Sequence, residues 1–200
     1  MAGFGDRLAD RGFGHPRGVL GRMGGWLMAR GNAATERHLA ELAHLSPEDA
    51  VLVLGPGPGV GLHAAGTRAG HVVGVDPSDT MLAACRKRCA ALIDRGVVEL
   101  ARGDAANTGQ PDACVDVVLS VNNVMLWPDW PAAFTELKRV LRPGGRILLS
   151  AHAKWLPGGS AALAGAAENA GFREVRTWAW EPPGRASTTA AQLIAYRPRE

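Results

Sequence analysis

From residue 50 onward the chain alternates between short runs of Val and Leu and longer stretches in which apolar residues recur every three or four positions. Ala50 to Leu54, Val72 to Val75, Val97 to Leu100, Val115 to Val121 and Arg146 to Ser150 are short and apolar almost throughout, the pattern of strands buried on both faces of a parallel sheet. Between them Val60 to Ala69, Ser78 to Arg95 and Trp130 to Leu141 have helix length. Strands alternating with such helices predict an α/β fold with a doubly wound parallel sheet and right-handed crossovers. Ser78 is placed to cap its helix, and Met81, Leu82, Cys85, Cys89 and Leu92 form that helix's apolar side. After Ala151 follow a helix (Ser160 to Ala170), a stop at Gly171, a strand from Phe172 to Trp180 and a last strand near Gln192 to Tyr196. The loop from Glu181 to Arg185, with two prolines and a glycine, turns the last strand antiparallel to its neighbour. Seven strands are expected.

The first 47 residues read differently. They are Gly-rich and then amphipathic, with Leu39, Leu42 and Leu45 at helical spacing, Asn32 as a cap and an end before Ser46-Pro47. A composition of 46% hydrophobic and 20% charged residues is that of a globular chain, and it excludes disorder. The basic residues are nearly all Arg and are scattered, which leaves no stripe for nucleic acid. Cys85, Cys89 and Cys114 make an odd set without a Cys-x-x-Cys pair, so neither a disulfide framework nor a metal site is expected, and the thiols suit a reducing compartment. Asp6, Arg7, Asp10 and Arg11 stand where a secretion signal needs an apolar core, and the longest uncharged run, Ala50 to Thr67, is broken by five glycines and two prolines. A cytoplasmic protein without stable membrane insertion is expected.

Chemistry concentrates at the strand ends. Gly55-Pro56-Gly57-Pro58-Gly59 follows the first strand directly and precedes a helix, where glycines let the backbone turn and let a ligand approach it. Pro58 fits a first-turn helix position. The second strand ends in Asp76, 21 positions after Gly55, where one carboxylate can hold both hydroxyls of a ribose. Asp104 follows the third strand and can accept from an adenine amino group. Together these residues describe a nucleoside site. A dinucleotide loop would need Gly or Ala at position 60, which is Val60, so a nicotinamide-dependent oxidoreductase is kept as the alternative.

Five ordered segments carry a family resemblance: Val51 to Gly61, Gly74 to Ser78, Gly103-Asp104-Ala105, Asp116 to Asn123 and Leu141 to Arg146. They resemble the successive motifs of the class I S-adenosylmethionine-dependent methyltransferases, over about three quarters of the chain. The resemblance implies a Rossmann-like seven-stranded sheet with a reversed last strand. It implies that Gly55, Pro56, Gly57 and Gly59 approach the methionine part of the cofactor, that Asp76 holds the ribose beside Pro77 and Met81, and that Asp104 and the Ala105 amide take the adenine. Ser120, Val121 and Asn122 would lie beside the amino acid part and the sulfonium. One position departs from the pattern: two before the first glycine, where many members carry an acid that helps bind the cofactor's ammonium, stands Val53. That leaves a non-catalytic cofactor-binding protein as a further alternative.

Methyl transfer from a sulfonium is an in-line displacement, for which alignment and a dry pocket supply much of the acceleration. A base is needed only when the acceptor must lose a proton. His152, just beyond the fifth strand, is the candidate base, and Asn122 and Asn123 are candidates to orient an acceptor through O, N or C. His15, Trp26 and Trp127 are expected to line the acceptor site. Residues 1–47 then form a helical cover over a catalytic domain of residues 48–200. So short a cover favours a small-molecule metabolite or natural product, handled by a monomer or homodimer.

Overall fold

Residues 32–183 and 188–200 are described by the computed structural model. Seven strands lie in one sheet: β1 (Ala50–Leu54), β2 (His71–Asp76), β3 (Val98–Arg102), β4 (Val115–Val121), β5 (Leu141–His152), β6 (Arg173–Trp180) and β7 (Ala190–Tyr196). Their order is β3-β2-β1-β4-β5-β7-β6. β1 to β5 pair in parallel, and β7 runs antiparallel to both β5 and β6. The reversed strand is therefore the last in the chain, inserted between β5 and β6. No described helix is long and apolar enough to cross a membrane.

Successive residues of a strand face opposite ways, and both faces of this sheet are covered. Val51 and Val53 of β1 enter a core with Leu39, Ala40, Ala43, Leu62 and Cys85. This side is closed by α1 (residues 32–42), α2 (Val60–Gly66), α3 (Asp79–Arg88) and α4 (Ala90–Asp94). Leu52 and Leu54 enter the opposite core with Phe134, Leu137, Leu163 and Phe172, beneath α5 (Trp130–Val140) and α6 (Gly159–Asn169). Each such fully buried Leu or Phe contributes roughly 1.5–3 kcal/mol relative to exposure.

Two boundaries shift from expectation for a tertiary reason. The helix expected over Ser78 to Arg95 starts as foreseen, with Ser78 Oγ accepting from the Met81 N–H at 3.4 Å. It breaks at Cys89, whose φ of −99° and ψ of 15° leave helical geometry while its thiol donates to the Gly59 carbonyl. β5 begins at Leu141 rather than Arg146, because Leu141 pairs with Val115. The register then slips so that Arg146 pairs with Val117, and the intervening Pro-Gly-Gly is absorbed as a bulge instead of ending the pairing.

Asn32, read as a cap, accepts a hydrogen bond from Asn122 Nδ2 at 2.8 Å instead. Leu42 of that helix and Leu45 beyond it are only half-buried, and the buried stripe runs from Glu36, Leu39 and Ala40 to Ala43 in the turn that follows. Arg146 of β5 donates to the Ala43 carbonyl at 2.6 Å. Leu39 and Ala40 of α1 thus pack into the same core as β1 and α2. His15 and Trp26 lie outside the described residues.

Candidate functional site

The turn after β1 is held from three sides. The Gly55 N–H donates to the Val75 carbonyl of β2 at 2.8 Å, the Cys85 thiol to the Gly57 carbonyl at 3.1 Å, and Arg88 Nε to the Pro58 carbonyl at 2.8 Å. Burial pushes the Cys85 thiol up, so it stays protonated and able to donate. Gly55, Gly57 and Gly59 all have positive φ (62°, 51° and 89°), a region other residues enter at a cost. A Cβ on Gly55 would lie 2.1 Å from Asn123 Nδ2, whereas one on Gly57 would meet nothing within 4 Å. The backbone at Gly57 is thus open to a ligand. Pro58 stands before the αL cap Gly59 and outside α2, so its expected first-turn place is taken by Val60.

β1 is flanked by β2 on one side and β4 on the other, and the order of strands reverses between β1 and β4. Ligands of open α/β sheets bind at the carboxyl ends of strands at such a switch point. A pocket of about 310 Å³, its open mouth included, sits there and is lined by Glu36, Val53, Gly55, Pro56, Ser120 and Val121 among others. Ser120 is buried and donates its hydroxyl proton to the Leu54 carbonyl at 2.9 Å, which leaves its oxygen with acceptor capacity only. Asp76, 6% exposed at the end of β2, accepts from the Ser78 N–H at 2.8 Å. Pro77 and Met81 follow at the entry to α3. Asp104 is exposed, with Oδ1 fixed by the N–H groups of Ala106 and Asn107, both at 2.9 Å, and Ala105 beside it is buried. The residues expected to meet the cofactor therefore follow one another across the ends of β3, β2, β1 and β4.

Sequence reading missed the one charged side chain among the described residues of this pocket. Glu36 of α1 is buried, and its Oε2 accepts from the Gly61 N–H at 2.6 Å. Burial pushes its pKa up to about 7, against the opposing pull of that hydrogen bond and of the Arg88 and Arg37 charges. Among the described residues no cation approaches it within ion-pair distance. A signal existed in the spacing 36, 39, 40, 43, which puts a carboxylate on the apolar stripe of a helix.

The residues expected to act on an acceptor are more dispersed. His152 does stand at the end of β5, where its Nδ1 meets Thr188 Oγ1 at 2.5 Å, Trp155 packs edge-on at 4.8 Å, and burial lowers its pKa. Asn122, at φ 50°, donates its backbone N–H to the Ser150 carbonyl, and its buried Oδ1 has no hydrogen-bond partner among the described residues. Asn123 accepts from the Trp127 indole N–H. Trp127 is buried in the α5-side core, with its ring edge-on to Phe134 at 5.9 Å, and does not line the pocket. Aromatic packing against the next helix accounts for its position.

Residues 52–149 match the methyltransferase domain family. Over that segment, just under half of its length, the chain resembles the class I S-adenosylmethionine-dependent methyltransferases. It is 36% identical over 111 residues to an arsenite methyltransferase of Halobacterium salinarum, a match covering 54% of this chain and 28% of that one. It is also 36% identical over 119 residues to the nocamycin O-methyltransferase of Saccharothrix syringae, covering 57% and 41%. The chain thus spans less than half the length of these curated relatives. Among solved structures it resembles phosphoethanolamine N-methyltransferase 2 of Haemonchus contortus, in complex with phosphomonomethylethanolamine and S-adenosylhomocysteine. The TM-score is 0.68 at 17% identity, over 82% of this chain and 52% of that one. The matched segment includes the glycine turn, Asp76, Asp104 and Ser120; Glu36 and His152 fall outside it.

Proposed function

We propose that this protein moves the methyl group of S-adenosylmethionine to an O, N or C atom of a small-molecule acceptor by in-line displacement. The observation that carries the reading is the pocket at the β1–β4 switch, with Gly55 and Pro56 of the glycine turn on one wall and the acceptor oxygen of Ser120 on another. Bound there, the cofactor supplies a methyl group on a positively charged sulfur. Asp76 would hold the ribose hydroxyls, with Met81 packed beside them. Asp104 and the Ala105 N–H would take the adenine. The Gly55–Gly59 turn and Ser120 would align the amino acid part, and the low polarity of Val53, Leu119 and Val121 would exclude water from the sulfur.

An acceptor that arrives with a free lone pair needs only orientation, for which Asn122 Oδ1 is available. For an acceptor that must lose a proton, His152 is the base proposed: burial favours its neutral form, and Thr188 fixes its ring. Residues 1–47, with His15 and Trp26, are assigned the cover of the acceptor site, and within them α1 brings Glu36 to the pocket and Asn32 to Asn122. The exposed Leu126 and Trp155, each following a strand at this edge, are apolar surface for that cover or for the acceptor. Three free thiols suit a cytoplasmic location, and the reading takes the chain as a monomer or homodimer.

Calorimetric titration tests the assignment. Both S-adenosylmethionine and S-adenosylhomocysteine are expected to bind, and Asp76→Asn is expected to weaken them roughly ten- to hundred-fold, since it removes a charged acceptor from the diol. No binding of either ligand at millimolar concentration overturns the reading; unchanged affinity in Asp76→Asn removes Asp76 from the site.

A further inference from the structure

We infer that Glu36, on a helix ahead of the first strand, is the carboxylate that receives the ammonium group of the cofactor's amino acid part. The inference rests on the cofactor reading above and deepens it.

The direction of the ligand follows from the sheet. Asp76 ends β2, and Ser120 and Val121 end β4, on either side of β1. Strands lie about 4.8 Å apart, so a ligand with its ribose at Asp76 reaches roughly 10 Å across β1 to the pocket at β4. The amino acid end enters that pocket, and its ammonium must then give up water. An ammonium in an apolar pocket is costly unless a counter-charge meets it. β1 offers none, because Val53 and Leu54 are buried hydrocarbon. Among the described residues lining the pocket Glu36 is the one carboxylate, and its only described hydrogen bond is the one from the Gly61 N–H to Oε2. It therefore keeps acceptor capacity that nothing described uses.

Its electrostatic state fits this role. A pKa near 7 means that Glu36 takes a proton readily while the pocket lacks a cation, and that an arriving ammonium displaces that proton. The charged and titratable groups around it are Arg37 on its own helix, Arg88 and Cys85 on α3, and His63 on the exposed side of α2. Asp76 acts, like Glu36, on the Cys85 thiol. Burial keeps the Cys85 thiol protonated.

Two ligands separate the role from a structural one. S-adenosylhomocysteine carries the ammonium; 5′-methylthioadenosine carries the same nucleoside and sulfur without the amino acid. Glu36→Gln keeps the size of the side chain and an acceptor for the Gly61 N–H. It is expected to weaken S-adenosylhomocysteine roughly ten- to hundred-fold while leaving methylthioadenosine within about two-fold. In the unaltered protein, S-adenosylhomocysteine binding near pH 6.5 is expected to release a proton, read as a difference in binding heat between buffers of unlike ionisation enthalpy. Methylthioadenosine is expected to release none. The second measurement needs no variant to fold. Equal losses for both ligands in Glu36→Gln, no loss for either, or proton release that is the same for both ligands overturns the proposal. If the unaltered protein binds neither ligand, the cofactor reading fails first.

Discussion

Glu36 and Glu136 are both helix carboxylates, 9% and 8% exposed, on opposite sides of the sheet. Their surroundings are unlike. Glu136 accepts from the Thr108 N–H at 2.9 Å and hydroxyl at 2.6 Å, and from Arg139 Nε at 2.7 Å and Nη2 at 2.8 Å. Those bonds, the guanidinium's first, hold its pKa down at about 2. Glu36 has one backbone N–H, and burial carries its pKa the other way, to about 7. Glu136 fastens the loop before β4 to α5, so all its capacity is used inside the protein. Glu36 faces a pocket and keeps capacity in reserve, at a cost in stability that a purely structural residue would not need.

The largest effect should come from the satisfied residue. Glu136→Ala strands the Thr108 N–H and hydroxyl and removes the buried partner of Arg139. Breaking a buried ion pair on one side costs about 3–5 kcal/mol. Arg139 keeps Asp112 and the Gln110 carbonyl, so a loss of about 3 kcal/mol is expected from urea denaturation at pH 7. A loss under about 1 kcal/mol would mean that Glu136 is not the pin described, and the contrast with Glu36 would collapse.

Glu36→Gln should act with the opposite sign and a pH signature. The folded pKa of Glu36 lies above its unfolded value, so the folded state binds the extra proton. Stability linked to this group is complete below about pH 4.5 and is lost as pH rises from 4.5 to about 7. Glu136 works in reverse: its stability is complete above about pH 4.5 and is lost as pH falls toward 2. A shift from 4.5 to about 7 corresponds to roughly 3 kcal/mol at 1.36 kcal/mol per unit. Glu36→Gln is therefore expected to stabilise the ligand-free protein by about 2–3 kcal/mol at pH 8 and hardly at all at pH 4.5. Denaturant midpoints at the two pH values measure it, and a gain independent of pH would show that ionisation of Glu36 is not the cause.

What could be read from the sequence follows the range of the forces involved. Runs such as Val115 to Val121 announce buried strands because the period is local, and Ser78 announces its cap within three residues. The glycine turn and Asp76 are legible because their separation is the one a nucleoside site calls for. Glu36 is not, since its meaning depends on Gly61, 25 positions away, and on the burial that α1 acquires by packing on β1 and β5. The break at Cys89 has the same origin: its thiol turns to a carbonyl 30 positions upstream. Leu141 becomes strand because Val115 is there to pair with, and the local Pro-Gly-Gly signal argues for a break. Trp127 follows the fourth strand, where an acceptor site is expected, but its N–H is taken by Asn123 and its ring by Phe134.

The smallest effect tests whether the burial of Glu36, rather than a particular bond, sets its behaviour. Gly61 lies in α2, and a Cβ there would sit 3.3 Å from both Cβ and Oε2 of Glu36. Gly61→Ala gains up to about 1 kcal/mol of helix propensity, and the crowding returns part of it. The net change at pH 4.5 should stay within about 1 kcal/mol. The backbone N–H survives the substitution, so Oε2 keeps its donor, and the added methyl group deepens the desolvation of the carboxylate. The fall in stability between pH 4.5 and 7 should therefore be as large in Gly61→Ala as in the unaltered protein, or larger. If that fall disappears while Glu36 remains, water already reaches the carboxylate freely, and its difference from Glu136 lies in missing partners alone and not in burial.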